Sequence, residues 1–218
     1  MESKGKRELW SAAPFIPANP TLKKLKVAAA GCTGCPLYKI ATQTVFGEGR
    51  PEAKVLFVGE QPGNDEDLTG KPFVGPAGKL LDRCLTEAGI DRDQTYVTNA
   101  VKHFKWEPGG EKGKKRLHKK PSAREIAACR PWLEAEIAVL KPSVIVALGA
   151  TAAQTLLGKD FRVTQSRGKP IPSPLAPHVI ATVHPSSLLR APDEETRRSE
   201  TARFVEDLRV VAKLIARL

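Results

Sequence analysis

The stretch Lys54-Val55-Leu56-Phe57-Val58-Gly59-Glu60-Gln61-Pro62-Gly63 decides how the rest of the chain is read. An unbroken run of apolar β-formers that stops at a glycine describes a short buried strand. The glycine–proline pair beyond it describes a turn. Between them stands Glu60, and a carboxylate at the end of a buried strand is an expensive placement unless it has a task.

Working outward, strands and helices alternate. Pro76–Ala88 carries apolar residues at helical spacing and ends in Gly89, and Thr95–Asn99 is a second strand. Residues 102–120 read as an irregular charged loop. Ser122-Ala-Arg-Glu125 is a capping box that opens a helix to about Leu140. Ser143–Leu148 and His178–Val183 are the third and fourth strands, with a short helix over Thr151–Leu157 and an amphipathic helix in the last 25 residues. Residues 1–25 are poorly patterned and read as an N-terminal arm, floppy or strapped on. Residues 26–218 read as one α/β domain whose mostly parallel sheet has helices on both faces.

In such a sheet, ligands bind in the crevice beyond the carboxyl ends of the strands. Those ends carry Glu60 and Gln61, Asn99, Gly149 and His184. An acid, two amides and an imidazole thus converge. The glycine-rich turns Gly59–Gly63 and Gly75–Lys79 do not form a P-loop, because no Gly-Lys-Ser/Thr follows at the required spacing.

Composition narrows the partner. The 218 residues carry 35 Lys and Arg against 24 Asp and Glu, a net charge of +11 with a pI near 9.6. That suits a polyanion. Aromatics make up only 6%, too few for a base-stacking sheet. No apolar run approaches the ~18 residues of a membrane span, the N-terminus lacks the apolar stretch of a secretion signal, and the chain reads as cytoplasmic. The charge is concentrated: Lys102, Lys105, Lys112, Lys114, Lys115, Arg116, Lys119 and Lys120 stand against Glu107 and Glu111 in one loop. A solvated charge run is the bland reading. Against it, the loop leaves a strand end beside the crevice, holds His118, and runs into a helix N-terminus that favours phosphate.

Four cysteines in a reducing compartment favour metal or redox chemistry over disulfides. Cys32-Thr-Gly-Cys35-Pro36 lacks the strand-and-helix context of a thioredoxin motif. Cys129 is a third candidate ligand, with Cys84, His103 or His118 as the fourth, although Cys84 sits at an apolar helical position. Spacing alone does not separate zinc from iron–sulfur. Phe73 suits either the core or a stacking plate for a flat ligand.

Taken together, CTGCPLY, VLFVGEQPG, GKPFVGPAGKLLD, YVTNAVK, the Cys129-Arg130-Pro131 helix and VHPSSLLR resemble the iron–sulfur (family four) uracil-DNA glycosylases. Three departures narrow the likeness to the UdgX-type branch: Gln61 in the GEQPG loop, Lys102-His103-Phe104 where the family commonly has Lys-Cys-Arg, and an inserted basic segment ending Lys114-Lys-Arg-Leu-His118. The resemblance implies a uracil-DNA glycosylase-like three-layer α/β/α fold around a central, mostly parallel four-stranded sheet. It implies a [4Fe-4S] cluster on Cys32, Cys35, Cys129 and, by position, His103. It also implies uracil excision from DNA, single-stranded DNA favoured, with free uracil as product and a monomer as the default state.

The roles implied are equally specific. Phe73 would stack on uracil, Asn99 would bond its N3–H and O4 edge, and the Gly59–Gly63 backbone with Gln61 would hold its carbonyls. His184 would stabilise the charge developing at O2, and Glu60 the cationic sugar. His118 would then bond C1′ and keep the protein on the abasic site, with Arg116 bracing the loop against Glu60. Lys114, Lys115, Lys119, Ser186 and Ser187 would bind DNA. A conventional multiple-turnover glycosylase and a non-catalytic metal-containing nucleic-acid-binding module are the competing expectations.

Overall fold

The computed structural model describes residues 9–110 and 115–217. Its main sheet has six strands in the order β1-β3-β2-β6-β8-β7. The expected four form its parallel centre: β2 (Val55–Gly59), β3 (Thr95–Asn99), β6 (Val144–Leu148) and β8 (Ala176–Thr182). Two antiparallel edge strands, β1 (Glu48–Gly49) and β7 (Pro170–Ser173), correct the expected number. Neither announces itself in sequence. One is two residues long, and the other carries Pro170 and Pro172, which lack N–H donors and are confined to a sheet edge.

β2, β3 and β6 are buried along their whole length, and β8 from Val179 onward, because helices cover both faces. On one face Phe57, Val97, Val146 and Ile180 pack against α3 (Pro76–Glu87), α7 (Pro185–Leu189) and α8 (Glu194–Ile215). On the other, Leu56, Val58, Ile145 and Val179 pack against α4 (Ala123–Leu140) and α5 (Ala150–Leu157). The remaining helices are α1 (Leu22–Ala29), α2 (Asn64–Thr69) and α6 (Val163–Ser166). Among the described residues no helix is long and apolar enough to cross a membrane.

The N-terminal stretch packs onto the domain from Trp10 onward. Ala12 and Leu25 are buried in a third apolar cluster with Ala128 and Trp132 of α4, and the Ala12 N–H donates to Ala128 O at 2.7 Å. The expected boundary at residue 25 falls inside α1. Loop 102–120 is not irregular either. Its described part is an antiparallel hairpin, β4 (Trp106–Gly109) with β5 (Lys115–His118). The two four-residue strands, WEPG and KRLH, are too short and too polar to show the alternation by which a hairpin is recognised.

The chain runs from β2 to β3 on one side and then crosses to β6 on the other. This reversal opens a crevice at the carboxyl ends of β2 and β6.

Candidate active site

A cavity of about 710 Å³ occupies that crevice, and Glu60, Gln61, Phe73, Asn99, His118 and His184 all line it. The parallel ladder continues past β2, with Ala100 N–H to Gly59 O at 2.9 Å and Val101 N–H to Glu60 O at 3.0 Å. The backbone beneath Glu60 is therefore fixed. Gly59 is required: a Cβ there would collide with Asn99 Oδ1 and lie 2.8 Å from the Phe73 ring.

Phe73 is buried in the left-handed backbone region at φ 58°. A bulky residue is strained there. Gly78 allows it, because a Cβ at that position would overlap the Phe73 carbonyl. The Phe73 ring lies 6.2 Å from that of His184, tilted by 29°.

The two histidines present opposite faces. His184 Nδ1 accepts the Ser186 N–H at 3.1 Å, so the ring proton sits on Nε2. Burial, then Arg190 and His118, hold the ring neutral down to a pKa of about 4. His118 Nε2 lies 2.8 Å from Gln61 Nε2, and the orientation of that amide is set by Lys105 N–H donating to Gln61 Oε1 at 3.0 Å. An amide nitrogen only donates, so His118 Nε2 is the unprotonated acceptor of the Gln61 amide and the ring keeps its proton on Nδ1. Burial lowers the His118 pKa, with Glu60 opposing and Arg190 adding to the effect. Glu60 Oε1 stands 3.8 Å from His118 Nε2, and the other carboxylate oxygen accepts from the Thr151 hydroxyl.

Gln61 closes the hairpin stem, bonding both Lys105 O (3.2 Å) and Lys119 O (3.0 Å). Arg116 braces it as well, but against Asp67 Oδ2 (2.6 Å) and Asn64 Oδ1 (2.8 Å) rather than Glu60. The guanidinium is laid over Phe104 and Trp106. Asp67 is fully buried and also accepts from Thr42 N–H, which makes it the stronger anchor.

Among the described residues, four of the loop's basic side chains are paired with carboxylates of the fold. Lys102 is wholly buried, its ammonium bonded to Glu136 Oε2 (2.6 Å), Thr98 Oγ1 (2.6 Å) and Asn99 O (2.7 Å). Lys105 pairs with Glu125 at 2.8 Å and Lys119 with Glu107. The N-terminus of α4 is closed by its own Ser122–Glu125 capping box and does not present the anion site the sequence suggested. Lys115 and Lys120 are exposed, whereas Lys112 and Lys114 lie outside the described residues. Ser186 lines the cavity against His184, while the Ser187 hydroxyl donates to His184 O.

Cys32, Cys35 and Cys129 share the third apolar cluster, and Cys84 is a core thiol on the opposite face of the sheet. Trp132 Nε1–H donates to Cys32 Sγ at 3.3 Å and Lys102 N–H to Cys129 Sγ at 3.2 Å. His103, next to Lys102, is buried with Nε2 at 3.0 Å from Thr44 Oγ1. The Thr44 proton goes to Ala29 O, so Nε2–H is the donor and Nδ1 keeps the lone pair. Among the described residues no three such side chains are arranged to hold a metal ion.

The sequence profile described as the uracil DNA glycosylase superfamily matches residues 46–209, a span that includes every wall of this cavity. The chain belongs to the uracil DNA glycosylase superfamily. A type-4 uracil-DNA glycosylase of Thermotoga maritima is 45% identical over 168 residues, 77% of this chain and 82% of that protein. The type-4 enzyme of Sulfurisphaera tokodaii is 34% identical over 201 residues, covering 88% and 87%. A type-5 uracil-DNA glycosylase of Thermus thermophilus is 32% identical over 162 residues, covering 65% and 68%. Within this superfamily cavity, Thr151, Arg190, Lys120 and Glu66 are wall residues that sequence reasoning missed. Glu66 had a signal: it stands at the third position of α2, where its carboxylate ties Gly63 N–H (3.0 Å) to Gly75 N–H (2.9 Å).

Proposed function

We propose that this chain excises uracil from DNA, single-stranded DNA favoured, and is then captured on the abasic sugar through His118, in the manner of the UdgX-type branch. The observation that carries the reading is the unprotonated Nε2 of His118, oriented by the Gln61 amide in the cavity that also holds Glu60 and Asn99.

The flipped uracil stacks on Phe73, and its N3–H and O4 edge meets the Asn99 amide. The glycosidic C1′–N1 bond breaks with its electron pair on uracil, and His184 Nε2–H stabilises the charge at O2. Glu60 stabilises the cationic sugar. The His118 lone pair then forms the Nε2–C1′ bond. Nδ1–H leaves as a proton, and the uracil anion gains one from water. A nucleophile already in place outcompetes diffusing water. Lys115 and Lys120 meet the backbone of the strand.

Cys32, Cys35, Cys129 and His103 would hold a [4Fe-4S] cluster, which when bound ties α1, the β3–β4 connection and α4 together. Three buried sulfurs suit such a group, and two of them, on Cys32 and Cys129, already accept N–H donors. Burial pushes the Cys129 thiol up to about 12, so cluster binding is what makes it a thiolate.

The test is a denaturing gel after incubation with a single-stranded uracil oligonucleotide. A band shifted by the mass of the protein is expected, and His118→Ser should remove it while leaving uracil release. A shifted band in that variant removes His118 from the role of nucleophile. Abasic product without any such band leaves a conventional glycosylase.

A further inference from the structure

The turn between β6 and α5 touches both halves of the chemistry. Gly149 lies at φ 87°, and a Cβ there would come 3.0 Å from His184 Cβ, so the residue leaves room for that imidazole. Two residues on, buried Thr151 sends its hydroxyl to Glu60 Oε2, while Glu60 Oε1 remains free, 3.8 Å from His118 Nε2. Cationic and imidazole side chains share the cavity with Glu60. Lys120 and Arg190 line the same cavity, and a short swing would take its free oxygen nearer His118.

We propose that Thr151 is a positioning residue: its hydroxyl holds one carboxylate oxygen of Glu60 so that the other faces the sugar. The inference rests on the glycosylase reading above. Thr151 touches neither base nor sugar in this account and acts only through Glu60. The β6 ladder fixes it in turn, because Gly149 N–H donates to Thr182 O at 2.8 Å and starts α5 in one place. A carboxylate held at one oxygen needs little reorganisation when cationic charge develops at C1′.

Thr151→Val keeps the shape and removes the donor. Uracil release from a single-stranded uracil oligonucleotide under single turnover, measured across protein concentrations, separates the maximal rate from the half-saturating concentration. The maximal rate should fall roughly 10- to 100-fold, the range of a hydrogen bond to a charged group. The half-saturating concentration should change less than about twofold, and Thr151→Ser should restore the rate. Thr151→Ala, which cannot overpack the turn, must show the same defect if the valine variant folds poorly. An unchanged maximal rate in either variant, a defect confined to half-saturation, or failure of serine to rescue overturns the proposal. If the unsubstituted protein releases no uracil, the glycosylase reading fails instead.

Discussion

The carboxyl ends of β2, β3 and β6 and the β4–β5 hairpin meet in one cavity, yet they are held by opposite means. At the sheet end the polar groups are sealed. Lys102 has all three ammonium protons committed, and Glu136 also accepts from Tyr96 and Thr98. The hairpin has almost no core. Among the described residues Lys115 and Leu117 are exposed and the His118 side chain is half exposed, while Gln61, Arg116, Lys105 and Trp106, whose indole N–H donates to Ile40 O at 2.8 Å, hold the hairpin in place. Asn99, the proposed reader of the base, thus stands beside a sealed polar cluster. His118, the proposed nucleophile, is carried by a hairpin with little core of its own.

Removing Lys102 tests the sealed side with the largest effect. Lys102→Met leaves Glu136 buried and unpaired and should cost about 3–5 kcal/mol in urea denaturation. Adding Glu136→Leu should recover most of that loss, since both charges are then gone. A cost below about 1 kcal/mol for the single variant would erase the contrast.

The hairpin side is exposed to pH. The proposed capture needs neutral His118, whose pKa lies below the ordinary 6.5 because of burial. The neutral form persists as pH falls through 6.5. The rate of covalent complex formation should stay flat from pH 8 to 6.5 and drop about tenfold per unit only below the folded-state pKa. Half-loss at or above pH 6.5 would show that burial does not set its proton affinity.

The smallest effect belongs to the outer surface of the hairpin. Lys119 and Glu107 pair there with side chains 52% and 50% exposed. Glu107→Gln should shift the melting temperature by less than about 2 °C and leave capture yield unchanged. A larger loss of capture would mean that the stem is held by its surface rather than by Gln61.

The contrast also explains what could be read from residues alone. The four central strands were legible because burial on both faces demands an apolar run, and the crevice followed from where those runs end. Glu60, Asn99 and His184 were found for that reason. Lys102 was not, because a lysine within a basic run looks solvated. Its signal lay elsewhere: Glu136 interrupts the stripe Leu133, Ile137, Leu140 on the buried face of α4. The partner of Arg116 was missed because Asp67 belongs to a short acidic helix whose burial depends on contacts distant in the chain. Charge counted along a sequence therefore overstated what faces DNA, since Lys102, Lys105, Arg116 and Lys119 all have carboxylate partners within the fold.

Gln61 clasps both ends of the hairpin stem through Lys105 and Lys119. The single residue that follows Glu60 therefore fixes both strands of the hairpin at their base and holds His118 as well. A change at position 61 reaches the hairpin, His118 and the neighbourhood of Glu60 at once, so one amide sets the geometry of a segment distant from it in the chain.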